Sequence, residues 1–166
     1  MARDATSRLY DVDEESVVYK KFKISGRYDH GTIKFSAKKD KLVDLDKLHE
    51  SIWATRLSGG TRSGLVRLDV TAVGKVIVNE NATVLNVKGS DRQFVLVGDS
   101  KNPTREDAKT VFRKLRESMA RGEKVVSVTG RVEGWNGGWP SVLRKLPSKP
   151  RRIIVTGFQI EKEPSN

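Results

Sequence analysis

Cysteine is absent from all 166 residues. Disulfides, thiolate metal sites and cysteine nucleophiles are therefore excluded. The fold must rest on its core, and a chain of this length buries roughly 70% of its unfolded surface, so no staple is needed. Aromatic residues make up only 7% of the chain, few for a protein that stacks bases along a whole sheet. No apolar run reaches the roughly 18 residues of a membrane-spanning helix. Met1 to Val12 lack the apolar stretch of a secretory signal. The compartment stays open: cytoplasmic is the default, and a processed extracytoplasmic protein is compatible. GxSxG, HExxH, Walker and dinucleotide-binding motifs are also missing. No carboxylate pair is set together by spacing, and neither histidine sits beside a nucleophile. The expectation is a non-enzyme without a cofactor, and oligomeric state is not readable.

What is abundant is positive charge. The net charge is +11 and the pI is near 10. Residues 1–65 hold 13 Lys/Arg against 10 Asp/Glu, a net of +3. Residues 66–166 hold 19 against 11, a net of +8. Basicity of this kind bears on anionic partners and solubility, not on fold.

Residues 1–14 are polar and aperiodic and end in the acidic run from Asp11, so a flexible tail is expected. Val17 to Ile24 and Thr32 to Ala37 predict strands, separated by the turn chemistry of Ser25 to Gly31. Asp44 is placed to cap a helix, with Leu45, Leu48 and Ile52 at helical spacing. Ser58-Gly59-Gly60 ends it. His30 and His49 lie on separate elements, which is no metal spacing, and both read as surface histidines. No metal site is expected.

From Val66 the order is three strands, one helix and two strands. Val66, Leu68, Val70 and Ala72 alternate with polar residues. Val73 and Gly74 then interrupt, and apolar residues resume at Val76 and Val78, which reads as a change of phase absorbed by a bulge or bend. Thr83 to Val87 and Gln93 to Val97 predict a hairpin around Lys88-Gly89-Ser90-Asp91. Thr104 is the expected cap of the next helix, whose stripe is Ala108, Val111, Phe112, Leu115 and Met119 and whose outer face is basic. Val126 to Val132 and Ile154 to Ile160 are the last strands, each with the tripeptide Val-Thr-Gly.

The candidate site is the loop between those two strands. It holds Trp135, Trp139, Arg144, Lys145, Lys149, Arg151 and Arg152 and, from Trp135 to Arg152, no acid. Single-stranded nucleic acid is bound by cations that follow phosphates and aromatics that stack on bases. Two readings stay open: contact with single-stranded nucleic acid or another polyanion, and tryptophans that pack across Asn136-Gly137-Gly138 in a loop that is basic for solubility.

By element order, Val66 to Ile160 resembles an OB-fold, which implies a five-stranded barrel whose last loop is one of two usual ligand-contacting loops. Gly31 to Phe35 and the helix Asp44-Leu45-Asp46-Lys47-Leu48-His49-Glu50-Ser51-Ile52 resemble the second half of a heavy-metal-associated domain, with Val66 to Val73 as its next strand. That implies a ferredoxin-like αβ arrangement whose Cys-x-x-Cys metal pair is missing here. The expected architecture is thus α+β: a tail (1–14), an N-terminal αβ segment (15–64) packed on an OB-like barrel (65–161), and a short tail (162–166). The expected function is a binding module for an anionic ligand. The alternative is a structural or protein-interaction domain, possible outside the cytoplasm, that binds neither nucleic acid nor metal.

Overall fold

The computed structural model of the chain describes residues 2–9, 11–23, 29–39, 41–56, 60, 63–98, 106–120, 124–133 and 150–161. The protein is α+β, with one two-stranded and one five-stranded sheet. It divides into two compact units, the first taking in Met1–Leu65 and the second most of the chain from Val66 on.

The first unit opens with α1 (Ala2–Ser7) and a 3-10 turn (Glu14–Ser16). The polar leader is therefore structured where a flexible tail is expected. Thr6 and Val12 are buried, and Val12 bridges to Ala37. One threonine and one valine are too few to show a period, which is why this order is invisible in the sequence. β1 (Val18–Lys23) and β2 (Asp29–Lys34) form an antiparallel pair, Val18 opposite Lys34 and Lys23 opposite Asp29. β2 thus begins inside the predicted turn, because backbone pairing with β1 overrides the turn preference of the side chains. In α2 (Leu45–Ala54) the Asp44 carboxylate accepts from the amides of Asp46 and Lys47 at 2.9 and 3.2 Å. Leu48 and Ile52 are buried. His49, expected at the surface, is also buried, with 4% exposure. It lies four residues after Leu45 and three before Ile52, so it shares their stripe. The Ser51 hydroxyl donates to the Ala5 carbonyl at 3.0 Å, tying α2 to α1.

The second unit holds β3 (Asp69–Val78), β4 (Thr83–Val87), β5 (Gln93–Val97), α3 (Glu106–Met119), β6 (Val125–Val132) and β7 (Arg151–Ile160). Its sheet closes on itself. β3 bonds to β4 and to β6, β4 to β5, β5 to β7 in parallel, and β7 back to β6. β3, the strand that the heavy-metal-associated resemblance adds to the β1–β2 sheet, pairs here with β4 and β6.

Closure depends on β3 serving two neighbours in succession. Asp69 to Lys75 pair with β6, and Gly74 to Val78 pair with β4, so Gly74 and Lys75 are bonded on both sides. The change of phase expected at Val73-Gly74 does not occur. Burial alternates without a break from Asp69 to Val76, with Val73 outward at 36% exposure and Gly74 buried on the inward side. Glycine fills that inward slot because β4 passes directly over it: a Cβ there would fall on the Asn86 carbonyl oxygen. The register irregularity lies instead between Thr129 and Gly130, against β7. There the two Val-Thr-Gly tripeptides meet: Thr129 faces Gly157 and Gly130 faces Val155, leaving Thr156 as the extra residue. A Cβ on Gly130 would fall on the Ile154 carbonyl oxygen.

Inward residues of every strand meet in one core, including Val76, Leu85, Leu96, Val126, Val128 and Ile153. α3 packs chiefly on β7 and sends Leu115 and Met119 into this core, with Val111 and Phe112 against it. Full burial of a side chain such as Leu115 contributes about 1.5–3 kcal/mol. The expected cap Thr104 lies outside the described residues.

Gly74→Ala should lower stability by about 2–3 kcal/mol, because the strands cannot part without opening the sheet. Val73→Ala, one residue away but outward, should cost under about 1 kcal/mol. Urea unfolding of both variants checks this; equal losses would restore the change of phase.

Candidate ligand-binding face

The register of the closed sheet aligns two rows on its outer surface, since directly opposed residues share a face. One row crosses four strands: Ile77 on β3, Val84 on β4, Val95 on β5 and Arg152 on β7. The three aliphatic residues are half-buried and Arg152 is exposed. The other row is polar: Lys75, Asn86 and Gln93. The Asn86 Oδ1 atom is shielded from solvent and has no hydrogen-bond partner among the described residues.

The aliphatic row starts at Ile77, one residue before the end of β3 and the turn 79–82, and finishes at Arg152, the second residue of β7. The amide of Asn79 donates to the Ala82 carbonyl at 2.8 Å and closes that turn. The connection from β6 to β7 leaves and re-enters at the Arg152 end of the row, where Val132 lies opposite Ile153. An aliphatic platform edged by amides and a guanidinium suits a ligand with flat apolar parts and negative charge. None of the six strand residues Ile77, Val84, Val95, Lys75, Asn86 and Gln93 is nominated by the sequence as a site residue. Their alternation assigns each to a face, but only the pairing brings the strands' rows into line.

Of the seven residues proposed from sequence, Trp135, Trp139, Arg144, Lys145 and Lys149 lie outside the described residues. Arg151 and Arg152 are not loop residues but the first two of β7. The strand starts three residues before Ile154 because its ladder with β5 runs down to Arg151, opposite Phe94. Alternation then separates the two arginines. Arg151 shares the inward side with Ile153 and Val155 and is 8% exposed, so burial withholds it from a ligand. Arg152 is outward, with Nη1 3.5 Å from Glu133 Oε2. The Glu133 amide also donates to the Arg152 carbonyl at 2.9 Å. Residues 134–150 hold no acid, but Glu133, the residue after β6, brings one to the rim.

On the far outer surface, β3, β6 and β7 present hydroxyls. Thr71 and Thr129 share a hydrogen bond of 3.0 Å, and the Thr156 hydroxyl donates to the Thr129 carbonyl at 3.3 Å. The exposed side of α3 carries Lys109, Arg113, Lys114 and Arg116, with Arg113 Nε 3.8 Å from Glu117 Oε1. His30's side chain lies outside the described residues. Among the described residues, no three His, Asp or Glu side chains are placed to hold a metal ion, and no helix is long and apolar enough to cross a membrane.

No family model matches the chain, and neither a curated protein nor a solved structure matches it.

The two neighbouring arginines should separate in a stability measurement. Arg151→Ala should cost about 1–3 kcal/mol by leaving a gap in the buried side of β7. Arg152→Ala should stay within about 1 kcal/mol, as expected for an exposed ion pair. Thermal unfolding of the two variants decides the assignment of faces, and a larger loss for Arg152→Ala would reverse it.

Proposed function

We propose that the second unit is an OB-type barrel and that the protein is a non-enzymatic binding module for an anionic ligand, single-stranded nucleic acid. The observation that carries this reading is the order of pairing. The first strand bonds to the second and fourth, the third runs parallel to the fifth, and the one helix enters between the third and fourth. In that architecture the outer face of the second and third strands, together with the loops after the first and fourth, is the usual site for oligonucleotides and oligosaccharides. Those are β4 and β5, the turn 79–82 and the β6–β7 connection.

Chemistry selects between the ligand classes. The connection contributes Arg144, Lys145 and Lys149 against the single acid Glu133, and Trp135 and Trp139 supply stacking surfaces. Arg152 adds a guanidinium at the edge of the aliphatic row. Phosphates satisfy the cations, and bases take the aromatic and aliphatic surfaces. An oligosaccharide would leave the positive charge without a counterpart. The strand face itself has no aromatic among its described residues, so stacking is assigned to the two tryptophans. Glu133 acts against binding by occupying Arg152, and weakens the site by a charge of the wrong sign.

Fluorescence anisotropy of a labelled oligothymidylate of about ten nucleotides tests the reading. Saturable binding at low salt is expected, with the logarithm of affinity falling linearly with the logarithm of salt, about 0.7 per phosphate contacted. Arg144→Ala/Lys145→Ala should reduce that slope by roughly 1.4. Glu133→Gln should strengthen binding by roughly twofold to fivefold, since a rim charge is removed and Arg152 released. A flat titration at low salt, or binding indifferent to salt and to these substitutions, would falsify the proposal and leave a protein partner as the better reading.

A further inference from the structure

We propose that the β1–β2 ribbon of the first unit is a second nucleic-acid contact, one that lies in a groove of a double helix. It does not depend on the barrel reading, because it rests on other residues and another ligand form. Two observations carry it, one of charge and one of exposure.

The modest net charge of the first unit conceals a sharp division. Residues 1–17 hold two Lys/Arg against five Asp/Glu, and residues 42–65 hold three against three. Residues 18–41 hold eight against two, a net of +6. Residues 133–150, the connection that anchors the barrel proposal, hold three against one, a net of +2. The larger net positive charge therefore lies on the ribbon and its exit.

The ribbon is also exposed on both of its faces. Alternation and register put Val18, Lys20, Thr32 and Lys34 on one face, and Tyr19, Lys21, Gly31 and Ile33 on the other. Val18 is 60% and Tyr19 43% exposed, and Lys20, Lys21, Thr32 and Lys34 are exposed as well. A strand pair that stabilises a domain by burial hides one face; along its described side chains this one hides neither. A solitary two-stranded hairpin gains little stability of its own, so burial does not account for its sequence. The Tyr19 ring packs over Gly31, where a Cβ would come within 2.7 Å of its Cζ atom. That contact stiffens the ribbon without thickening it.

A ribbon cationic on both faces needs a partner negative on both sides. A nucleic-acid groove supplies this, since phosphates line each wall. The dimensions agree: six residues span about 20 Å, and the major groove of B-form DNA, about 12 Å wide, admits a two-stranded ribbon. Lys20 and Lys34 on one face and Lys21 on the other would then approach opposite walls. Phosphate contacts of this kind position without specifying sequence, so no sequence preference is expected.

The test is anisotropy of a labelled DNA duplex of about twenty base pairs against the full chain, from about 50 to 200 mM salt. Lys20→Ala/Lys34→Ala should lower affinity about tenfold at the low-salt end and reduce the salt slope by about 2. Lys20→Arg/Lys34→Arg, which keeps the charge, should bind like the parent. Lys109→Ala/Lys114→Ala on the exposed side of α3 removes the same charge elsewhere and should change affinity by less than about threefold. Absence of duplex binding at low salt overturns the proposal. So does an equal loss in the α3 and ribbon variants, which would reduce the effect to net charge. So does a ribbon double variant that binds with unchanged slope. The barrel's single-strand titration is a separate assay, so the two proposals fail separately.

Discussion

Everything in the second unit depends on one strand being shared. β3 gives its first part to β6 and its last to β4, and at Gly74 and Lys75 it belongs to both. Gly74 and Gly130 stand where a carbonyl of the neighbouring strand occupies the space a Cβ would take, so these two positions admit only glycine without displacing a strand. Once the sheet closes, inward positions of all five strands converge on one core and α3 adds its apolar stripe to it. The same closure gives every strand of the sheet two neighbours, which reduces the open edge that is the usual liability of a small sheet.

Closure also sets what the outside of the unit can do. It lines up Ile77, Val84, Val95 and Arg152 across four strands, residues separated by up to 75 positions in the chain. It runs that row from beside the turn 79–82 to the start of β7, where the β6–β7 connection re-enters. It decides which cation is offered. Arg151 and Arg152 are chemically identical and adjacent, yet the two-residue period of β7 sends one into the protein and the other to the rim. Glu133 then meets the outward one. A charge count from Trp135 to Arg152 cannot contain this information, because the deciding acid, Glu133, stands just before it and the deciding burial comes from a parallel ladder with β5.

Much of the architecture was legible because strands and helices announce themselves by period. The hairpin of β4 and β5 and the apolar stripe of α3 follow from alternation and from a 3.6-residue repeat. The cap at Asp44 follows from a carboxylate set before a helical stripe. What failed to be legible needed information from elsewhere in the chain. Gly74 reads as an interruption in isolation, whereas it continues the inward series of Val70, Ala72, Val76 and Val78. The leader is held by two buried side chains, Thr6 in α1 and Val12 after it, which is not a pattern. His49 carries a polar label that outweighs its place on the stripe of α2. Of the candidate site, the sequence marks where charge is dense, but the pairing alone shows which residues stand beside it.

The central claim is that the outer face of β4 and β5 and the start of β7 is where the ligand sits. The most direct measurement is a backbone-amide NMR titration of the full chain with a single-stranded oligonucleotide. Shifts concentrated at Val84, Asn86, Val95 and Arg152, with Thr71, Ser127 and Thr129 on the opposite surface unchanged, are the predicted result. Shifts confined to that threonine surface, or none in the second unit at all, would contradict it.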